Sequence, residues 1–236
     1  LVLTDVQAGE VAGHPVRAVD IRDFPATRAA MEGVDHVVHL AIGNPFRMER
    51  TRPVWERDDE MMQVGVQGTQ HVFEAARQAG ARRVVFASSM TVYPLYNPKK
   101  TIEPATPTQP QNLYACTKLF GEALAEVYAR ESGMAMICLR FGQPFPLPPG
   151  LKDQRRVAKA RHRWLLLGWS DMVESVRCAL DESGPRFAIA NIISDNDVSS
   201  VDPLDAPRLG YRPRQRFTAE SALAELQKQE KGASVE

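Results

Sequence analysis

RVVFASSMTVYP, residues 83–94, decides the fold. Arg83–Ala87 is a short apolar run centred on Val84 and Val85. A β-branched run of this length, ending in small polar residues, reads as a strand buried on both faces, as in a parallel sheet. It ends in two hydroxyls, Ser88 and Ser89. Upstream, Val64–Ala79 places Val66, Thr69, Val72, Phe73, Ala76 and Ala79 at helical spacing and stops at Gly80. Downstream, five prolines between Pro94 and Pro110 impose a loop over the sheet's carboxyl edge. A second helical pattern then covers Tyr114–Glu131, with Leu119, Ala123, Val127 and Arg130 in phase and Gly133 beyond.

The same alternation runs outward in both directions. Further candidate strands are Leu1–Thr4, Val16–Val19, His36–Leu40, Ala135–Leu139 and Arg186–Asn191, and further helices are Trp169–Leu180 and Ala219–Gln229. Strand–helix–strand winding predicts an α/β fold: a doubly wound parallel sheet with helices on both faces. The 236 residues suit one such domain, residues 1–236, with a small C-terminal substrate lobe formed by 143–168 and 192–236. Lys+Arg and Asp+Glu are both 29, which speaks against an electrostatic grip on nucleic acid or acidic membranes. No apolar run approaches the roughly 20 residues of a membrane span. The three cysteines, Cys116, Cys138 and Cys178, have no metal-binding spacing, so no metal is expected. They read as reduced thiols of a cytoplasmic protein, with Cys116 a small packing residue.

Chemistry enters at Tyr114-Ala-Cys-Thr-Lys118. Spacing of four puts phenol and ammonium on one helix face, about 6 Å apart at Cβ. An ammonium so close favours the phenolate and draws its pKa down from about 10. Such a tyrosine can take a proton from an alcohol that becomes a carbonyl. In a doubly wound sheet the ligand crevice lies at the carboxyl ends of the strands, so the serines ending one strand and the tyrosine of the next helix converge there. The basic run KDQRRVAKARHR, residues 152–163, reads as a solvated flap or helix, or as a holder of an anionic substrate through Arg155 or Arg156.

The segments VDHVVHLA (34–41), GTQHVFEAARQAGARRVVFASSMTVYP (68–94), YACTKLFGEALAEVYARESGMAMICLRFG (114–142) and LGYRP (209–213) together resemble the short-chain dehydrogenase/reductase superfamily. The likeness is to its extended branch of NAD-dependent epimerases and dehydratases, with a Rossmann-like fold. LRFG, the proline-rich QPFPLPP, Trp164-Leu165 and LGYRP make the uronate dehydrogenase-like members the nearest subgroup. The resemblance implies Tyr114 as general base, Lys118 lowering its pKa and holding the nicotinamide ribose, and Ser89 positioning the reacting oxygen. It implies NAD as cofactor and a sugar or sugar acid as substrate, contacted by Ser89, Met90, Thr91, Gln143 and Arg155. Met90-Thr91 and Gln143 depart from the subgroup's Asn-His and serine, which points to a different substrate. Alternatives from the same likeness are a nucleotide-sugar epimerase or dehydratase and a non-catalytic binding relative. A homodimer is implied through the two long helices, with Phe73, Phe120 and Leu124 facing outward or, equally, packed on the sheet.

The opening LVLTDV, residues 1–6, reads as the family's second strand, because no G-x-x-G-x-x-G turn follows it. A Rossmann-like sheet lacking its first strand is therefore expected. The chain would be the downstream part of a longer protein, binding NAD poorly by itself. In that register Asp5 accepts from the adenosine ribose hydroxyls and repels a 2′-phosphate, favouring NAD over NADP. Asp20 and Ile21 lie beside the adenine, and Leu40, Ala41 and Ile42, with Ser88, Tyr114 and Lys118, along the dinucleotide. Gly65 stands where the family has an asparagine that supports the catalytic lysine, which puts catalytic competence in question.

Overall fold

The computed structural model of the chain describes residues 1–43, 53–94, 101–146, 165–198 and 200–232, with side chains to residue 225. The chain divides into two compact units. The first comprises Leu1–Ser88, Pro110–Cys138 and Arg186–Ala188; the second comprises Ser89–Gln109, Leu139–Pro185 and Ile189–Glu236.

The first unit opens with β1 (Leu3–Asp5), β2 (Gly9–Val11) and β3 (His14–Ala18). β1 and β3 are parallel, Leu3 opposite Val16 and Asp5 opposite Ala18, and β2 folds back antiparallel on β3. β2 has no counterpart in the sequence reading, because its three residues are all exposed and carry no apolar alternation. Helix α1 (Phe24–Ala30) is also additional. Asp23 caps it by accepting from the Ala26 N–H at 3.1 Å, and Pro25 sits in its first turn.

The principal sheet has the order β4 (His36–His39), β5 (Arg83–Ser89), β6 (Ala135–Phe141) and β9 (Phe187–Ile192). β4 and β5 are parallel, with His39 opposite Phe86. Every residue of β5 is buried, as a strand with covered faces requires. The α/β class with a parallel sheet is as expected. Among the described residues β1 and β4 are edge strands of separate ladders. Apolar side chains beside those edges, Val6 and Leu40, are exposed.

The expected helix over Val64–Ala79 begins earlier, at Val54. It runs as α2 (Val54–Met62), one π-helical turn (Gln63–Gly68) and α3 (Thr69–Gln78). α2 escaped the periodicity argument because VWERDDEMM is largely charged and buries only Met61. The π turn carries Gly65 against α4 (Leu113–Glu131): a Cβ there would lie 2.8 Å from Thr117 Cβ. α4 is capped by Asn112, whose Oδ1 accepts from the Ala115 N–H at 2.9 Å. Gly121 admits a similar approach, since a Cβ there would overlap the Phe86 ring.

Between these helices and β4–β5 lies a cluster of rings. Phe73 meets His39, Phe86 and Tyr128 edge-on, with centroids 5.7–6.1 Å apart. Phe73 is wholly buried, which excludes it from an outward face. Phe120 is exposed and Leu124 half-buried.

The second unit contains the parallel pairs β7 (Gln143–Phe145) with β8 (Leu166–Gly168) and β10 (Asp195–Asn196) with β11 (Arg216–Phe217). It also holds α5 (Trp169–Ala179) and α6 (Ala219–Gly232). Phe145, Leu166, Phe217 and Ala222 form an apolar cluster. Beside it Asp171, in the first turn of α5, accepts from Ser194 Oγ at 2.6 Å, Arg214 N at 2.9 Å and Gln215 N at 3.1 Å. One carboxylate thus ties a helix start to two later segments.

Candidate active site

The first unit positions the motif on α4 above β5. Tyr114 is half-buried in the first turn of the helix. Lys118, one turn on, is buried, with Nζ 5.5 Å from the Tyr114 ring centroid and 5.0 Å from that of Phe86. The helical spacing puts the Lys118 Nζ over the Tyr114 ring. Ring faces stabilise a cation by their quadrupole but replace its lost hydration only in part. Desolvation accordingly pushes the Lys118 pKa down to about 7, against a smaller opposing pull from the Glu122 charge.

His39, at the end of β4, is bonded to Thr69 Oγ1 at 3.2 Å. Burial, and secondly the Lys118 charge, hold its pKa down at about 3, so it is a neutral imidazole at physiological pH. Ser88 Oγ donates to Glu122 Oε1 at 2.5 Å, both residues being buried. Thr117 Oγ1 donates to the Tyr114 carbonyl at 2.8 Å. His39, Thr69, Phe86 and Glu122 were not singled out from the sequence. Only Glu122 carried a signal, lying four and eight residues beyond Lys118 and Tyr114.

The remaining expected cofactor residues also belong to the first unit. Asp5 ends β1 and accepts a long 3.4 Å bond from the Gln7 N–H of its own turn. Asp20 is engaged: its carboxylate takes Arg22 in a fork, Nε at 2.9 Å and Nη2 at 2.5 Å from Oδ2, and its pKa is lowered chiefly by that bond. The Ile21 carbonyl is 2.9 Å from His71 Nδ1. Leu40 and Ile42 follow β4 with exposed side chains, and Ala41 lies between them.

The expected substrate residues that are described lie in the second unit. Ser89 caps a short 3₁₀ turn, Met90–Val92, where its Oγ accepts from Thr91 N at 3.2 Å and Thr91 Oγ1 at 3.0 Å. Ser89 and Thr91 are thereby joined. Met90 is 1% exposed, so its side chain packs inside the unit and offers no surface to a ligand. Gln143 opens β7, half-buried, its amide a long 3.4 Å from the Pro144 carbonyl. Tyr93 is buried and accepts from Arg140 Nη1 at 2.5 Å. Arg155 and Arg156 lie outside the described residues, as does Trp164. Cys116, expected to pack, is exposed.

Residues 3–167 match the model of the NAD dependent epimerase/dehydratase family, and the chain belongs to that family. It is 34% identical over 230 residues to the L-arabinose 1-dehydrogenase (NAD(P)(+)) of Haloferax volcanii, covering 90% of this chain and 87% of that protein. It is 29% identical over 220 residues to the uronate dehydrogenase of Pseudomonas syringae pv. tomato, covering 91% of this chain and 72% of the relative. Among solved structures it is similar to a mutant of Agrobacterium tumefaciens uronate dehydrogenase complexed with NAD. That likeness has a TM-score of 0.74 and 25% identity, and covers 96% of this chain and 78% of the other.

Proposed function

We propose that the protein is an NAD-dependent oxidoreductase that oxidises a sugar or sugar acid, with Tyr114 as general base, Lys118 as its electrostatic partner and Ser89 as the group that positions the reacting oxygen. The observation that carries the reading is the buried Lys118 ammonium beside the Tyr114 ring, in a chain of this family. A cation kept out of water next to a phenol stabilises the phenolate more than it would at the surface. The Tyr114 phenolate accepts the hydroxyl proton of the carbinol or hemiacetal, and the C–O bond becomes a carbonyl. The family likeness assigns that oxygen to the Ser89 hydroxyl, which Thr91 orders.

The donor set of the first unit suits a dinucleotide. Asp5 has a carboxylate with little local demand on it, matched to a ribose diol, and Leu40 and Ile42 offer exposed apolar surface. Lys118 supplies a cation for the second ribose. When bound, NAD supplies the acceptor for the hydride that leaves the carbinol carbon. Asp20 is committed to Arg22, so its side chain contributes there only if that fork opens.

No described helix is long and apolar enough to cross a membrane. The three cysteines form no disulfide, which supports a reducing, cytoplasmic setting. The exposed Phe120 and Val127 on α4 support pairing of two copies through that helix. Incubation with NAD and, in turn, D-glucuronate, D-galacturonate and L-arabinose tests the reading through the near-ultraviolet absorbance of NADH. Net NADH formation with one of them is expected. Interconversion of nucleotide sugars without net NADH would replace the reading with an epimerase, and inertness in both assays would leave a binding protein.

A further inference from the structure

The helix face that carries Tyr114 and Lys118 continues to Glu122, which is 4% exposed. Nothing in the proposed chemistry uses it. Its Oε1 accepts from Ser88 Oγ at the end of β5 at 2.5 Å, a short charge-assisted bond that fixes the carboxylate over the strand. Burying a carboxylate costs several kcal/mol unless something nearby needs its charge. A neutral glutamine could still accept from the serine hydroxyl, through a weaker bond. Lys118, one turn away on the same face, is a cation placed to use that charge, and the Glu122 charge acts on it.

We propose that Glu122, anchored by Ser88, is a positioning residue that keeps the Lys118 side chain protonated and held beside Tyr114. The inference rests on Tyr114 and Lys118 being the catalytic pair. Among the described residues, the titratable groups in contact with Lys118 or coupled to its charge are Tyr114 and Glu122 on its own helix and His39 from β4; the charged side chains of α2, which also packs on α4, have no resolved effect on it. β5 contributes Phe86 and Ser88, which carry no charge. His39 stays neutral down to about pH 3, so it lends no changing charge in the working range. Burial opposes the ammonium, and the Glu122 charge acts the other way. At Gly65, where the family likeness leads one to expect a supporting asparagine, there is no side chain. Glu122 supplies polar support from the lysine's own helix.

The test is a titration of Lys118 by carbon NMR on lysine-labelled full-length chain, the signal assigned with Lys118→Met. The parent is compared with Glu122→Gln and Glu122→Asp. Removing a unit charge one helical turn away lowers the lysine pKa by about one unit or somewhat more. Glu122→Asp, which withdraws the charge by one methylene, gives a smaller shift of the same sign. An unmoved lysine in Glu122→Gln overturns the proposal and leaves Glu122 a packing partner of Ser88. Should Glu122→Gln fail to fold, an unmoved lysine in Glu122→Asp overturns it alone. NADH formation by Tyr114→Phe tests the underlying reading separately: activity equal to the parent's removes the catalytic pair whatever the lysine does.

Discussion

Lys118 in the first unit and Asp171 in the second are buried to the same degree, 4% and 1% exposed, and their surroundings are opposite. Asp171 receives three donors within 3.1 Å and sits in the first turn of α5, where the helix dipole favours a negative charge. Lys118 has two ring faces at 5.0 and 5.5 Å and one carboxylate on its own helix. A buried charge that is fully satisfied holds structure together. One that is left short of partners works against stability, and such groups gather where chemistry is done. The contrast supports the proposal that the first unit's cluster is the working part, with the Asp171 cluster as scaffold.

The largest effect that would break the contrast is on turnover. Tyr114→Phe removes the proton acceptor and keeps the ring beside Lys118, so the fold survives. The rate of NADH formation should fall about 10²–10⁴-fold, the usual contribution of a positioned base, with little change in thermal midpoint. Steady-state kinetics beside a melting curve separates the two. A parent-like rate would mean that the poorly satisfied lysine has no catalytic purpose.

Next in size is Asp171→Ala. It strands the Ser194 hydroxyl and the Arg214 and Gln215 N–H groups, each worth about 1–3 kcal/mol when left unsatisfied. A loss of about 3 kcal/mol or more is expected in chemical denaturation, while the Lys118 titration stays where it was. Movement of both would show that the two clusters are not independent.

This contrast was only half legible in the sequence. Tyr114, Lys118 and β5 announce themselves through local rules: a spacing of four on a helix and a β-branched run that ends in two serines. Asp171 does not. Its partners lie 23, 43 and 44 residues away, and nothing in WSDMV distinguishes a clamp from an ordinary acidic first turn. The short elements escaped for a related reason. β2 has no buried residue and α2 only one, so neither leaves an apolar period. The inward turn of Phe73 also followed from contacts: its pattern on α3 fits either face until His39, Phe86 and Tyr128 are seen to surround it.

A smaller effect, of opposite sign to Asp171→Ala, is expected from Lys118→Met. The folded protein holds this amine near 7, against 10.5 ordinarily. Between those values the unfolded chain binds the extra proton, so stability rises with pH through that window and the full penalty is present below it. Replacing the ammonium with an apolar side chain should stabilise by about 2 kcal/mol at about pH 6, with the gain shrinking by about pH 9. NADH formation is lost at both. Melting curves at the two pH values check the sign. A destabilised variant at the lower pH would mean that Lys118 is as well satisfied as Asp171.

The smallest effect concerns how closely the working cluster is packed. Alanine in a helix is ordinarily favoured over glycine by about 1 kcal/mol. At Gly65 the added Cβ would lie 2.8 Å from Thr117 Cβ and 2.9 Å from both atoms beyond it. Thr117 is buried and its hydroxyl is bonded to the Tyr114 carbonyl, so it cannot swing aside. Gly65→Ala should therefore destabilise by about 1 kcal/mol, reversing the usual sign. Thr117→Ala removes the two outer atoms but not the Cβ, so in that background the penalty shrinks without vanishing. A double-mutant cycle read by denaturation gives the coupling directly. Zero coupling would place Thr117 out of reach of Gly65, and the helix that carries Tyr114 and Lys118 would then be free to shift in a way that the well-tied segments around Asp171 are not.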